Sequence, residues 1–338
     1  TSMTQQQPPA PAPPKRRVSL VKKLFLTFLV ASIAVVFGAL GFIWWADSKI
    51  EKIPAEELVS LQPVAPDEAR TILLVGSDSR DGLPPEWEDN FGDFSGKRTD
   101  VIMIAQITPD GEGQLISLPR DLRVTIPGKG INKINAAFVF GGPDLLIQTI
   151  QENFGISINN YIEINFGGFG KVVDSLGGIE ITFDNPARDA KSGLRVEEGT
   201  QRLDGEMALA YARSRFYQEL RNGKWVSVRG SDIGRTGRQQ EVLMTMFRQA
   251  KSSGSAFNLP GFVGTFAEQI TADEGITPGV LLELGKAGLA LDVENIDMRT
   301  LPVAISNQNG TSYVIPVEPE ASALLAAFRA GVPFPPEE

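Results

Sequence analysis

Apolar and polar positions along this 338-residue chain fall into regimes that predict different structures. Leu24 to Trp45 is an uninterrupted apolar run, close to the roughly 20 residues that cross a bilayer as one helix, and Trp44 and Trp45 close it. Lys15, Arg16, Arg17, Lys22 and Lys23 precede the run, so the positive-inside rule predicts a cytoplasmic N-terminus and an extracytoplasmic remainder. A cleaved signal peptide is the alternative. The run is long for one, and no small-residue cleavage site stands before Asp47. The expected organisation is a disordered tail over 1–23, a transmembrane helix over 24–45, a polar juxtamembrane linker over 46–70 and a folded domain over 71–338.

Beyond residue 70 the pattern switches between short β-branched runs and helical periodicity. Strands are predicted over Thr71 to Val75, Val101 to Ile107, Gln114 to Leu118, Tyr161 to Phe166, Ile179 to Phe183, Ile296 to Val303 and Tyr313 to Val317. Helices are predicted over Pro143 to Phe154, Gly168 to Leu176, Gly205 to Ala212, Gly237 to Ala250, Pro260 to Ile270, Pro278 to Ala290 and Pro319 to Ala330. Strands interleaved with helices indicate an α/β fold, a three-layer α/β/α domain around a central mixed sheet.

Composition narrows the chemistry. Cysteine is absent, which removes thiol nucleophiles and zinc–thiolate sites, and histidine is absent, which removes the serine–histidine triad and the commonest general base. Carboxylates, arginine, lysine, hydroxyls and a hard cation held by oxygens remain. After residue 45 there are 27 basic and 41 acidic residues, a net charge of −14. Such a domain repels nucleic acid, so any anion it binds must be drawn by a local cluster of arginines.

Four segments supply that cluster. Val75-Gly76-Ser77-Asp78-Ser79-Arg80 ends an apolar strand in polar residues, at the sheet edge where α/β folds bind ligands. Lys97-Arg98-Thr99-Asp100 precedes the next strand, and Leu118-Pro119-Arg120-Asp121 follows the one after. If the first two strands are antiparallel, Asp78 and Asp100 meet at one edge, and two close carboxylates call for a cation such as Mg2+ between them. The plainer reading is that each aspartate caps a turn.

The fourth segment joins Tyr211-Ala212-Arg213-Ser214-Arg215 to Asp232-Ile233-Gly234-Arg235-Thr236-Gly237-Arg238-Gln239. Thr236 and Gln239 match a capping box, which puts Arg235 and Arg238 at the positive end of a helix. Cations are unfavourable there unless an anion is present, and guanidinium forks with helix amides suit phosphate oxygens. The plainer readings are a solvated Arg238, a purely capping Gln239, and Arg213 and Arg215 stabilising a helix C-terminus.

In this order, Gly-Ser-Asp-Ser-Arg, Arg-Thr-Asp, Pro-Arg-Asp, Lys-Ile-Asn-Ala-Ala, Asp-Ser-Leu-Gly-Gly, Tyr-Ala-Arg-Ser-Arg and Arg-Thr-Gly-Arg-Gln-Gln resemble the LytR–CpsA–Psr phosphotransferases over roughly Thr71 to Gln249. These are membrane-anchored bacterial envelope enzymes. The resemblance implies transfer of a glycopolymer from a polyprenyl-pyrophosphate carrier to a peptidoglycan acceptor, with a phosphodiester formed and polyprenyl phosphate released. The lipid would lie in an apolar tunnel between sheet and helices.

Carried over by position, Asp78 and Asp100 resemble Mg2+-linked aspartates. Arg98, Arg120, Arg213, Arg215 and Arg235, with Gln239, resemble the pyrophosphate-binding set, and Asp232 an acid near the reacting centre. The stretches between Asp78 and Arg98 and from Phe216 to Ser231 are longer than the resemblance leads one to expect. Both are candidates for lids or selectors of polymer and acceptor. Two other functions fit the same residues: hydrolysis of the lipid pyrophosphate, and a non-catalytic envelope regulator that binds lipid carriers.

Overall fold

Alternation along the predicted strands resolves into the two faces of a central sheet. The computed structural model describes residues 41, 44–65, 68–79, 87, 98–108, 112–228, 231–252, 259–290, 297–308 and 310–336. Nearly all of the 24–45 run and most of 81–97 lie outside the described residues, among which no helix is long and apolar enough to cross a membrane. Residues 46–338 form one unit.

The strands in chain order are β1 (Glu51–Ile53), β2 (Arg70–Ser77), β3 (Thr99–Ile107), β4 (Gly113–Ser117), β5 (Arg123–Ile126) and β6 (Gly130–Lys133). Then follow β7 (Asn160–Asn165), β8 (Ile179–Phe183), β9 (Ala187–Asp189), β10 (Leu194–Val196), β11 (Gly199–Leu203), β12 (Gln218–Arg221) and β13 (Lys224–Ser227). The last are β14 (Ile270–Asp273), β15 (Asp297–Thr300), β16 (Val303–Gln308) and β17 (Thr311–Pro316). The helices are α1 (Ile134–Phe154), α2 (Phe166–Ser175), α3 (Gly205–Arg213), α4 (Ser231–Ser252), α5 (Leu259–Ala267), α6 (Pro278–Ala290) and α7 (Glu320–Ala330).

Seven strands form the main sheet in the order β1-β14-β7-β2-β3-β4-β15. It is mixed: β2 runs parallel to β7 and antiparallel to β3, which runs antiparallel to β4. Along β2, Leu73 and Val75 face a core closed by Ile134, Phe138 and Leu146 of α1 and Leu324 and Phe328 of α7. Ile72 and Leu74 face the other side, toward Val263 of α5 and Leu281 of α6. Each fully buried aliphatic side chain stabilises the fold by about 1.5–3 kcal/mol relative to exposure, so this two-sided alternation fixes the register of β2.

The structure corrects several expectations. Residues 46–70 are not simply a linker, because Ile50 and Leu58 are buried and β1 pairs in parallel with β14 at the sheet edge. The helix expected from Pro143 begins earlier, and α1 runs through a break at Gly141 and Gly142, where Gly142 adopts a left-handed φ of 66°. The helix expected to end at Ile270 stops at Ala267, and Ile270 opens β14, whose Ala272 pairs with Ile162. Phe216 to Ser231 contains β12 and β13, which extend β10 and β9 into a four-stranded sheet. Short strands of mixed polarity carry little periodicity, so their long-range pairing leaves no clear mark on the sequence.

Candidate active site

The site is built where β2 and β3 separate. A β-bulge between Gly76 and Ser77 shifts the ladder so that Ser77 pairs with Thr99. A Cβ on Gly76 would sit 2.9 Å from the Val101 Cβ, so only glycine allows this approach. Just past the bulge the Asp78 amide donates to the Arg98 carbonyl at 2.9 Å, and the Arg98 amide donates to Asp78 Oδ1 at 2.6 Å. This partner stands 20 positions further along the chain, so the bond joins the two strand ends and does not cap a local turn. Burial pushes its carboxyl up, the Arg98 amide lowers it and the neighbouring charge of Asp100 raises it further.

Asp100, on β3, collects the arginines. Arg120 Nη1 lies 2.5 Å from Asp100 Oδ1, Arg215 Nη2 3.7 Å and Arg235 Nη1 3.9 Å from the same oxygen. Burial works to raise this carboxyl, but Arg235, Arg120 and Arg215 outweigh it and hold it below the ordinary carboxylate range. Arg120 is held from its other side by Asp121 at 3.6 Å, and Asp121 also pairs with Lys133 at 2.7 Å. Asp121 is not among the residues expected to build the site. Adjacent opposite charges on a turn do not reveal that the acid bridges two cations.

Arg213 ends α3 with its guanidinium over the Phe166 ring, 5.5 Å from the centroid. Arg98 is exposed beside Asp78. Asp232 falls in the first turn of α4, and its side chain lies outside the described residues.

The capping-box reading fails. Helix α4 starts at Ser231, so Arg235 and Arg238 lie beyond its first turn, where the macrodipole has largely faded. Gly234 and Gly237 each cost a helix about 1 kcal/mol, and the buried apolar side chain of Val242 works against that cost. Arg238, only 1% exposed, donates to the Ser214 carbonyl and lies over the Tyr217 ring at 5.0 Å. It braces the arginine turn through that carbonyl. Gln239 is buried alongside it.

The donor set bears on Mg2+. Among the described residues no group of three or more carboxylates could cage a metal ion. A pair of carboxylates is nevertheless the usual protein share for Mg2+, which takes its other ligands from substrate phosphate and water. Asp78 and Asp100, which repel one another at the mouth of β2 and β3, fit that share.

The sequence model of the LytR_cpsA_psr family matches residues 46–330. The chain belongs to that family. It is 34% identical over 313 residues to the probable cell wall biosynthesis protein LcpB of Corynebacterium glutamicum, covering 89% of this chain and 70% of that one. It is 35% identical over 195 residues to TagU of Oceanobacillus iheyensis, a polyisoprenyl-teichoic acid–peptidoglycan teichoic acid transferase, covering 56% of this chain and 53% of TagU. The LytR-Csp2A-Psr enzyme from Actinomyces oris superposes with a TM-score of 0.67 at 26% identity, covering 83% of this chain and 96% of that one. The stretch that matches the LytR_cpsA_psr family contains every segment that brings an arginine to Asp100.

Proposed function

We propose that this chain transfers a glycopolymer from a polyprenyl-pyrophosphate carrier to peptidoglycan. The observation that carries the reading is the convergence of Arg120, Arg215 and Arg235 on Asp100 in a chain whose net charge is −9. Planar guanidinium forks drawn together from three segments suit the oxygens of a pyrophosphate, which accept several charge-assisted hydrogen bonds at once. The likeness to TagU, named as a teichoic acid transferase, supports the same class of reaction.

In this reading the acceptor sugar hydroxyl attacks the sugar-bearing phosphorus. Its oxygen forms the new P–O bond, the bridging P–O bond breaks, and polyprenyl phosphate leaves with the bridging oxygen. Asp78 or Asp232 orients the hydroxyl and takes its proton. The arginines stabilise charge on the phosphoryl oxygens, the dominant contribution in phosphoryl transfer. Asp78 and Asp100 would hold Mg2+, which would supply further charge neutralisation at those oxygens.

The two faces of the sheet support a place for the lipid. Both faces combine buried and partly buried apolar side chains. Toward α5 and α6, Leu74, Phe266, Val280, Leu282 and Leu284 are only partly buried. Partly buried apolar side chains beside buried Val263, Ile270 and Leu281 suit an isoprenyl chain. The apolar run 24–45 would anchor the chain in the cell membrane by a single pass, at the leaflet where a lipid-linked donor is presented.

The test is incubation of the full chain with a polyprenyl-pyrophosphate glycan and Mg2+, with and without peptidoglycan. Polymer covalently joined to peptidoglycan supports the proposal. Free sugar phosphate in both reactions would assign hydrolysis instead, and binding without turnover would assign a carrier-binding regulator.

A further inference from the structure

Outside the cluster on Asp100, one buried acid has an unusual set of partners. Asp189, the last residue of β9, is 2% exposed. Its Oδ2 accepts from Ser214 Oγ at 2.7 Å, from the Arg215 amide at 2.9 Å and from the Phe216 amide at 2.8 Å. Its Oδ1 accepts from the Lys191 amide at 2.9 Å. Three of the four donors therefore belong to consecutive residues of the turn that follows α3. That turn carries Arg215 toward Asp100 and begins directly after Arg213.

We propose that Asp189 is a positioning residue for the arginine turn, setting the direction of Arg213 and Arg215 from a strand that contributes no group to the site itself. The inference rests on the pyrophosphate reading above for its functional consequence. Its structural part stands independently.

Three features of the geometry fix the turn. Helix α3 ends at Arg213, with the Ser214 amide donating to the Tyr211 carbonyl, so the next amides leave the helix and need acceptors. A carboxylate that takes two successive amides and the preceding residue's hydroxyl defines the backbone path over those residues. The Ser214 carbonyl accepts from Arg238 of α4. Ser214 is thus held by both β9 and α4. Asp189 itself is fixed because β9 pairs with β10 through Asp189 and Leu194. Burial works to raise its carboxyl, but the Ser214 hydroxyl and the three amides hold it below the ordinary carboxylate range, as a permanent acceptor requires.

Substitution tests follow from the atoms involved. Asp189→Ala removes every acceptor. Asp189→Asn keeps one oxygen for the turn but presents an amide group to the Lys191 amide. The first measurement is hydrogen–deuterium exchange over 214–217 in the full chain, with the strands of the main sheet as an internal reference. Exchange in Asp189→Ala accelerating by about tenfold or more at 214–217, with the reference strands unchanged, supports the inference. Equal exchange in a folded variant would overturn it.

The second measurement is affinity for farnesyl pyrophosphate in wild type, Asp189→Ala, Arg215→Ala and the double variant. If Asp189 acts through Arg215, its loss weakens binding about tenfold alone and adds little once Arg215 is gone, a non-additive cycle. Additive losses would overturn the route through Arg215. Asp189→Asn should recover part of the affinity. Failure of the wild type to bind farnesyl pyrophosphate would count against the pyrophosphate reading alone, and the exchange experiment still decides the role of Asp189.

Discussion

The Arg120 guanidinium lies 2.5 Å from an Asp100 carboxylate oxygen, and this contact ties the turn after β4 to the beginning of β3. Both side chains are largely buried, at 14% and 18% exposure. Removing one partner would therefore leave the other charge largely buried and short of its closest counter-charge. Replacing Arg120 by Ala should cost about 2 kcal/mol or more of transition-state stabilisation, roughly 30-fold in kcat/KM. Arg120→Lys should recover little, because an ammonium cannot reach Asp100, Asp121 and a phosphate together. Steady-state transfer kinetics with a lipid-linked donor measure both.

Much of this site is legible in the order of the amino acids. The strands around Val75 and Val101 follow from their apolar, β-branched runs, and their antiparallel pairing meets the condition for Asp78 to come beside Arg98 and Asp100. The arginines can be named because an acidic chain needs a reason to repeat them. What the sequence conceals has two physical causes. Gly234 and Gly237 imitate a helix boundary, yet α4 runs from Ser231 to Ser252 through both of them. Asp189 acts on backbone amides, which have no side-chain signature, so nothing near Ser214 announces it.

A second prediction concerns stability. A Cβ on Gly205 would lie 2.3 Å from the Gly170 carbonyl oxygen, and one on Gly170 would lie 2.4 Å from the Trp87 ring. The close contact of α2 and α3 therefore depends on Gly205, while Gly170 makes room for the Trp87 ring. The Gly205 amide is also anchored on Asp174 at 2.8 Å. Gly205→Ala should destabilise the fold by about 1–3 kcal/mol through overpacking, seen as a lower thermal midpoint.

A third prediction concerns pH. Asp189 has a depressed folded-state pKa, so the folded chain keeps it ionised while the unfolded chain takes up a proton. Its stabilising contribution is present above the unfolded value and fades as pH falls through the folded one. The difference in thermal midpoint between wild type and Asp189→Asn should be larger at about pH 7 than at about pH 3. A difference that grows toward acid would reverse the sign and refute the assignment.

A fourth prediction separates lipid from headgroup. Leu74 is only partly buried on the α5 and α6 side of the sheet. Leu74→Trp should crowd that face and weaken binding of a long polyprenyl pyrophosphate by about tenfold, as expected for lost apolar burial. Affinity for inorganic pyrophosphate should stay unchanged. Equal loss for both ligands, by calorimetry, would place the effect at the arginines.

The most direct measurement joins these parts. Full-length chain, Mg2+, a radiolabelled polyprenyl-pyrophosphate glycan and peptidoglycan are combined, and the products are separated. Label linked to peptidoglycan by a phosphodiester, with one polyprenyl phosphate released per transfer, is the predicted result, lost in Arg120→Ala and Arg235→Ala. Label found only as free sugar phosphate, or transfer undiminished in both arginine variants, would contradict the account.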